Sequence, residues 1–228
     1  MYRGQSIGVV IPAFNEERFI PRTLGTLPRF VDRIAVVDDG SRDSTADRVR
    51  EAGDERVLLI RHPENRGVGG AILSGYRHLL NEGLEVLVVM AGDGQMDPAD
   101  LPALLDPIVA GEADYVKGNR LYHPDTPRVM PAWRLAGNVA LSLLTRITAG
   151  YPGVVDSQCG YTAGRAEVLG RVDLDRVYPR YGFPNDLLAH LHTAGARVAH
   201  VEVRPIYEDQ DTGIRPLTAV PALSWVLA

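Results

Sequence analysis

The sequence lacks the features that would place it in several broad classes of protein. It has one cysteine, Cys159, so no disulfide can form within the chain. Its 24 lysines and arginines are outnumbered by 29 aspartates and glutamates, and the net charge of −5 gives no overall basic field for nucleic acid. No run reaches the roughly 18 to 20 consecutive apolar residues that cross a bilayer, and the first residues do not resemble a signal peptide. We therefore expect a cytoplasmic protein that meets anionic ligands at a local site and does not bind nucleic acid.

What the sequence does contain is a regular alternation of β-branched runs and helical stretches. Its 228 residues, of which 45% are hydrophobic, are enough for one large domain with a full core. The first half predicts four units in which a buried strand precedes a helix, with the strands at 6–11, 33–37, 56–60 and 85–90. Such a series indicates a mostly parallel sheet with helices on both faces. We predict a single α/β domain of the Rossmann-like kind over residues 1–228.

The second half of the chain is less regular than the first. In chain order we predict a strand at 113–116, a loop with three prolines at 122–131, a helix at 133–147, a strand at 160–163, a helix at 185–194 and a strand at 198–203. No internal repeat or linker divides this half from the first.

Acidic side chains follow two of the predicted strands, at the edge where a doubly wound sheet binds its ligand. Asp38 and Asp39 come directly after the second strand, and Asp93 follows the fourth. Adjacent carboxylates are costly unless they meet donors, which a nucleotide supplies through base N–H groups, ribose hydroxyls and a bound Mg²⁺ or Mn²⁺. The alternative is structural, because Asp38 and Asp43 can cap a turn and a helix. The residues alone leave both interpretations of Asp38 open.

Gln95 places an amide oxygen two residues from the carboxylate of Asp93. Both are hard oxygen ligands, which suit a divalent cation whose remaining positions hold water and diphosphate oxygens. Such a cation offsets the charge that builds on a departing diphosphate. A tripeptide of this kind in a glycine-rich segment is otherwise an ordinary turn, so the prediction depends on its place after a strand.

Two further segments offer groups that bind phosphate. Residues 67–70 precede a predicted helix and resemble a cradle in which glycine N–H groups approach an anion, although they match neither the dinucleotide fingerprint nor the P-loop. Lys117 and Arg120 follow another predicted strand and place two cations at the same edge. The alternative for this pair is a solvated basic turn.

Taken together, five motifs in order resemble glycosyltransferase family 2, and within it the polyprenyl-phosphate sugar synthases of the dolichyl-phosphate mannose synthase type. The motifs are VIPAFNEE at 10–17, VVDDGS at 36–41, NRGVGGA at 65–71, AGDGQMDP at 91–98 and KGNR at 117–120. The likeness continues through DSQCGY at 156–161 and ND at 185–186. It implies a GT-A fold, an inverting enzyme, a GDP- or UDP-sugar donor of mannose or glucose, and Mg²⁺ or Mn²⁺ as cofactor.

The resemblance also implies roles for residues of this sequence. Asp93 and Gln95 fall on the family's metal-binding motif, and Arg120 would meet the diphosphate. The full set expected to bind the nucleotide sugar comprises Pro12, Ala13, Asn15, Glu16, Asp38, Asp39, Gly40, Asn65, Gly69, Asp93, Lys117 and Arg120. We accordingly divide the domain into a nucleotide-sugar-binding half, 1–118, and an acceptor half, 119–228. One departure is Ala91, where related enzymes often carry Asp; its loss leaves Asp93 and Gln95 to hold the ion with the diphosphate.

The expected acceptor depends on whether its attacking oxygen has to lose a proton during transfer. A hydroxyl acceptor needs a carboxylate base, for which Asp156 and Asp186 are the candidates, and either can instead cap a helix or orient a basic side chain. A phosphate monoester, with a second pKa near ~6, is already anionic and needs no base. We expect a polyprenyl phosphate acceptor. The alternatives are a saccharide hydroxyl and a nucleotide-sugar-binding protein without turnover, which Ala91 would permit.

A lipid acceptor would bring the protein to the cytoplasmic face of a membrane as a peripheral contact. The predicted helix 133–147, the loop before it and the apolar residues 219–228 are the expected contact surface. The alternative is that the helix packs on the sheet through Leu135, Val139, Leu143 and Ile147. Residues 219–228 can likewise form a docked helix.

Overall fold

Strands and helices alternate along the part of the chain that the computed structural model describes, namely residues 1–206 except 149, 152, 154 and 181, with the backbone alone at 148. The strands are β1 (Ile7–Ala13), β2 (Arg33–Asp38), β3 (Val57–Arg61), β4 (Val86–Val89), β5 (Tyr115–Asn119), β6 (Thr162–Arg165) and β7 (Val198–Glu202). The helices are α1 (Ile20–Gly25), α2 (Thr45–Glu51), α3 (Val68–Asn81), α4 (Leu101–Val109), α5 (Thr126–Val129), α6 (Ala132–Thr148), α7 (Ala166–Leu169) and α8 (Phe183–Thr193). A 3₁₀ turn at Pro98–Asp100 leads into α4.

The strands form one seven-stranded sheet in the order β3-β2-β1-β4-β6-β5-β7. The pairs among β1, β2, β3 and β4 are parallel, and so is the pair of β5 with β7. Strand β6 is antiparallel to both of its neighbours, β4 and β5. The predicted mostly parallel α/β sheet is therefore confirmed, with one reversed strand that the hydrophobic pattern does not reveal.

Helices cover both faces of the sheet, as predicted, and side chains of β1 alternate between the two resulting cores. Val9 and Ile11 pack in a cluster with residues of α1, α2 and α4. Val10 lies in the opposite cluster with residues of α3 and α8. This alternation follows from the two-residue period of a strand, and burial on both faces explains why β1 is apolar throughout.

The strand ends bring three loops to one edge of the sheet. Ala13 at the end of β1 is in register with Asp38 at the end of β2. Asp39 N donates to Ala13 O at 2.9 Å, and Gly92 N, after β4, donates to Pro12 O at 3.3 Å. The loops after β1, β2 and β4 therefore meet where open parallel sheets bind ligands.

Several elements differ from their predicted bounds, and the short helices α5 and α7 were not predicted. The predicted loop 122–131 contains the short helix α5, whose buried Thr126 hydrogen-bonds through its hydroxyl to Arg120 O. Helix α8 begins at Phe183, earlier than predicted, because Pro184 in its first turn has the backbone angle that a helix start requires. The apolar residues 219–228 lie outside the described residues.

None of the helices in the described part of the chain is long and apolar enough to span a membrane.

Candidate active site

Two loops at the ligand-binding edge are joined by hydrogen bonds into one wall. Asn15 N donates to Ser41 Oγ at 2.9 Å, and Asn15 Oδ1 accepts from Arg42 N at 3.0 Å. Glu16 N donates to Thr45 Oγ1 at 2.8 Å. Asn15 has φ of 57°, in the left-handed region that asparagine tolerates better than most residues, which explains why this turn uses it. The loop after β1 is thus held against the loop after β2.

A cavity of about 890 Å³ opens between these loops and the segment after β3. Among the residues that line it are three that the sequence assigns to nucleotide binding, Asn15, Gly40 and Asn65. Phe14 also lines it and is 45% exposed, so an aromatic face is available there. The cavity is large enough to take a nucleoside, and a base can stack on Phe14.

The two carboxylates at the end of β2 are already bonded within the protein. Asp38 has no exposed surface; its Oδ1 accepts from Ser41 N and its Oδ2 from Arg61 Nε, both at 2.9 Å. This geometry agrees with the turn-capping alternative and corrects the prediction that Asp38 contacts the nucleotide. Asp38 acts on the cavity only by orienting Arg61, which lines the cavity.

Asp39 serves as the anion at the start of α3. It is 3% exposed, and its carboxylate accepts from Arg66 N at 2.9 Å and from Gly67 N at 2.8 Å. His62 Nδ1 lies 2.7 Å from the same group. The helix start therefore binds a carboxylate of the protein, which corrects the interpretation of this glycine run as a phosphate cradle.

Gly69 packs closely against the segment before α8, and its expected contact with the donor stays a prediction. It is buried, and a Cβ there would lie 2.7 Å from both Phe183 Cβ and Pro179 O. The next residue, Gly70, donates its N–H to Pro179 O at 2.8 Å. The glycines thus allow α3 to approach the segment before α8, which requires residues without a side chain.

Asp93 lies in the loop after β4, as predicted. Its Oδ1 accepts from Gln95 N at 2.9 Å across a turn in which Gly94 has φ of 75°. A residue with a side chain rarely adopts that angle, so the turn requires glycine. Asp93 and Gln95 line a small cleft together with Arg120.

Glu16 and Asp93 are near enough for their charges to oppose each other. Burial raises the pKa of Glu16 to about 7, and the charges of Asp93 and Asp43 contribute to the shift. Burial also raises the pKa of Asp93, although backbone N–H groups and the charges of Arg134 and Arg120 act in the opposite sense. Two carboxylates that resist joint ionisation are stabilised by a bound cation.

The donor set fits a divalent cation that is shared with a ligand. The described residues contain no group of three or more His, Cys, Asp or Glu side chains able to hold a metal by themselves. They do place the carboxylate of Asp93, the amide of Gln95 and the nearby carboxylate of Glu16 at one edge. Mg²⁺ and Mn²⁺ accept such oxygen ligands, and Mg²⁺ usually completes its shell with water and phosphate oxygens.

Arg120 is fixed by Asp156. Its Nε and Nη2 donate to the two carboxylate oxygens at 2.8 and 3.0 Å, and its backbone N donates at 3.2 Å. Asp156 has no exposed surface; burial tends to raise its pKa, but the charge and hydrogen bonds of Arg120 hold that pKa below its usual value. This geometry supports the alternative in which Asp156 orients a basic side chain, and it corrects the interpretation of Asp156 as a base.

Lys117 does not lie on the surface of the site. It belongs to β5, is 1% exposed, and donates from Nζ to Cys159 O at 2.8 Å. Burial lowers its pKa, and the charge of Asp156 partly offsets this effect. The prediction that Lys117 meets the donor diphosphate is therefore wrong, and Arg120 is the member of that pair which lines the cleft.

Residues 8–172 match the family model described as glycosyl transferase family 2. The matched segment covers well over half of the chain and contains the Asp39, Asp93 and Arg120 loops described above. The chain belongs to this family. It is a glycosyltransferase, and its sheet is that of the GT-A fold.

Three curated relatives cover most of the transferase. A UDP-N-acetylglucosamine–dolichyl-phosphate N-acetylglucosaminyltransferase of Methanococcus voltae is 30% identical over 89% of this chain and 86% of its own. An undecaprenyl-phosphate mannosyltransferase of Micrococcus luteus is 34% identical over 85% of this chain and 81% of its own. A polyprenol monophosphomannose synthase of Mycolicibacterium smegmatis is 34% identical over 92% of this chain and 80% of its own.

Solved structures with the same fold include the glucosyl-3-phosphoglycerate synthase of Mycobacterium tuberculosis. One such structure has a TM-score of 0.70 at 25% identity and covers 97% of the transferase and 77% of its own chain. Another is a complex with Mn²⁺, uridine diphosphate and phosphoglyceric acid. It has a TM-score of 0.72 at 24% identity and covers 97% of the transferase and 75% of its own chain. At this identity the likeness concerns the fold.

Asp186, the other predicted base of the transferase, lies in the first turn of α8. Its Oδ2 accepts from Tyr178 N at 2.7 Å and lies 3.7 Å from His190 Nε2. The carboxylate is 24% exposed, so part of it faces solvent. Its role as a base for a hydroxyl acceptor remains a prediction.

Helix α6 of the transferase has its polar side inward and its apolar side outward. Asn138, Ser142 and Thr145 are buried, whereas large apolar residues are exposed, among them Trp133 at 63%, Leu143 at 57% and Ile147 at 76%. Val139 is also 52% exposed, and only Leu135 of the predicted packing set is half-buried. The alternative that this set packs on the sheet is therefore wrong for three of its four members.

The inward side of α6 also carries a charge that the sequence did not assign to the site. Arg134 is half-buried and close enough to Asp93 for its charge to oppose the rise in the pKa of that carboxyl group. Arg146, further along the helix, acts on the pKa of His200 in β7. In the sequence, these arginines alternate with apolar residues, which indicates a helix with two different sides. Helical spacing does not show which of the two sides faces the protein.

Proposed function

We propose that the transferase moves a hexosyl group, mannose or glucose, from a nucleoside diphosphate sugar to a polyprenyl phosphate at a membrane surface, with inversion. The observation that carries this proposal is the orientation of α6. Its exposed side is a row of large apolar side chains, and its inward side places Arg134 beside the Asp93 loop. A lipid phosphate needs both surfaces, an apolar face for the bilayer and basic groups for its head.

The relatives support the acceptor. All three carry names that specify transfer to a polyprenyl, undecaprenyl or dolichyl carrier. They do not agree on the sugar, because one name specifies N-acetylglucosamine and the others mannose. The donor hexose is accordingly part of the proposal.

On the donor side, the proposed binding groups are those that line the cavity and the cleft. Asn15, Gly40 and Asn65 would hold the nucleoside, and Arg120 would meet the diphosphate. Asp93 and Gln95, with Glu16 nearby, would hold Mg²⁺ or Mn²⁺, which when bound offsets negative charge on the departing nucleoside diphosphate. The Mn²⁺ and uridine diphosphate in the structural neighbour support this assignment.

In the transfer itself, the residues of the chain act by position and charge. Asp156 fixes the guanidinium of Arg120 before the donor arrives, so little ordering remains when the leaving group departs. The acceptor phosphate is already anionic above its second pKa of ~6, so its oxygen attacks without a base. The bond from the sugar to the diphosphate breaks as the bond to the acceptor oxygen forms on the opposite face.

Nucleoside diphosphate release from GDP-mannose and UDP-glucose, with and without Mn²⁺ and a short polyprenyl phosphate, tests the reaction. We expect release to depend on both the metal and the lipid phosphate. Substitution of Asp186 by Asn keeps an acceptor for Tyr178 N and removes the carboxylate that could act as a base. A phosphate acceptor predicts near-normal release in this variant, whereas loss by a factor of about 10² to 10⁴ would indicate a hydroxyl acceptor.

The membrane contact has its own test in vesicle sedimentation. Leu143→Glu places a charge in the exposed apolar row of α6, and Ala52→Glu places the same charge on another exposed surface. We expect Leu143→Glu to reduce binding to phospholipid vesicles and Ala52→Glu to leave it unchanged. Equal binding of the two variants would contradict a role for α6 at the membrane.

A further inference from the structure

Arg61 and Glu64 line the cavity but have no part in the proposed transfer. Arg61 is the last residue of β3 and Glu64 lies in the loop after it, and both are exposed. Arg61 Nε donates to Asp38 Oδ2 at 2.9 Å, and the side chain is 52% exposed while Asp38 is wholly buried. A buried carboxylate thus fixes one edge of a guanidinium whose other end stands at the cavity.

The remaining donors of Arg61 form a fork. With Nε bonded to Asp38, Nη1 and Nη2 present parallel N–H groups, and the described residues give Arg61 no other hydrogen bond. The carboxylate of Glu64 likewise accepts no hydrogen bond from the described part of the chain. A planar pair of donors and a carboxylate with two acceptors therefore border the same space.

Only some bases match such a pair. Guanine has adjacent acceptors, O6 and N7, for the arginine fork, and adjacent donors, N1–H and N2–H₂, for a carboxylate. Uracil has an N3–H donor between its two carbonyl oxygens, so it offers the fork a single acceptor at a time. Adenine pairs one acceptor, N7, with a donor, N6–H₂. The cavity volume of about 890 Å³ admits any of these bases, so hydrogen bonding has to make the selection.

We propose that Arg61 and Glu64 select guanine, so that the donor is a guanosine diphosphate sugar. This inference rests on the proposed function, because it assumes that the cavity binds the nucleoside of the donor. Arg61 reads O6 and N7, Glu64 accepts from N1–H and N2–H₂, and Asp38 is the positioning residue that orients the fork. Stacking on Phe14 adds affinity for every base and does not discriminate among them.

Titration calorimetry of GDP, UDP, CDP and ADP with Mn²⁺ tests the proposal on the full chain. We expect GDP to bind at least about tenfold more tightly than UDP, since a good bidentate pair discriminates by about that much or more. Arg61→Lys keeps a cation beside Asp38 and removes the fork, so it should abolish most of this ratio. Glu64→Gln should weaken GDP binding and leave UDP binding unchanged. Arg50→Lys, at an exposed arginine paired with Asp47 outside the cavity, is the matched control and should keep the wild-type ratio.

The outcomes separate this inference from the function on which it rests. Equal or tighter binding of UDP, or a GDP preference that survives in Arg61→Lys, overturns the selection of guanine and leaves the transferase assignment intact. A preference for CDP would show that the fork reads O2 and N3 of cytosine and would also overturn it. Failure of every nucleotide to bind the folded protein would overturn the proposed donor site as well.

Discussion

Substitution of Asp156 by Asn tests whether this carboxylate holds the site together. Asp156 has no exposed surface and accepts three hydrogen bonds from Arg120, and Lys117 supplies a second buried positive charge nearby. Asparagine keeps the shape and one acceptor oxygen but removes the charge that balances these cations. Removing one partner of a buried ion pair costs about 3 to 5 kcal/mol, and we expect the free energy of unfolding to fall by that amount.

The same substitution has a pH dependence of known sign. Arg120 holds the pKa of Asp156 below its ordinary value despite burial. A carboxylate with a lowered folded-state pKa stabilises the protein above its unfolded-state pKa of about 3.9, and this contribution is lost as the pH falls through the folded-state value. The stabilities of wild type and Asp156→Asn should therefore differ at pH 7 and converge in acid.

Urea denaturation at pH 7 and in acid measures both effects. Asp173→Asn is a suitable control, because Asp173 is 61% exposed and lies 3.8 Å from Arg176, a surface pair worth about 1 kcal/mol or less. If Asp156→Asn unfolds within about 1 kcal/mol of wild type at pH 7 but loses turnover, the stabilising role is refuted and the role as a base regains support.

Three further substitutions test other parts of the structure. In metal-free protein, Glu16→Gln should be more stable than wild type at pH 8 and equal to it at pH 4, because a folded pKa of about 7 makes ionised Glu16 unfavourable as the pH rises. The same difference in unfolding free energy at both pH values, measured by urea denaturation, would contradict this. Lys117→Met should lower the melting temperature and preserve GDP affinity in calorimetry, whereas lost affinity at an unchanged melting temperature would restore the predicted diphosphate contact. Gly75→Ala should destabilise the protein by about 1 to 3 kcal/mol in urea denaturation, because a Cβ there overlaps Val10 of β1; a neutral result would show that α3 can move.

The hydrophobic pattern was sufficient to predict a mostly parallel sheet and the place of the Asp93 loop, but not the reversed strand β6. It could not give the role of Lys117, because that depends on where β5 ends. The predicted strand stops at residue 116, which places Lys117 in the loop after it, either as a cation for phosphate or in a solvated turn, but β5 runs to Asn119. With the strand continued, Lys117 lies inside the sheet and its side chain is buried.

Contacts between distant segments explain the other differences. In sequence, residues 67–70 resemble a phosphate cradle, because Asp39, whose carboxylate accepts from Gly67 N, lies 28 residues earlier. Asp38 was ambiguous for a similar reason, since Arg61 is 23 residues away. Local sequence predicts that a helix start or a buried carboxylate needs a partner, but only the fold determines which partner it finds.

Strand β6 makes the two halves of this chain inseparable during folding. It comes after both β4 and β5 along the chain and lies between them in the sheet. A fragment that ends at residue 118 would therefore have an open edge on β4 and no neighbour for β5. During synthesis that edge stays exposed until Arg165 has been made, so this interval is when the chain is most prone to pair with another copy of itself.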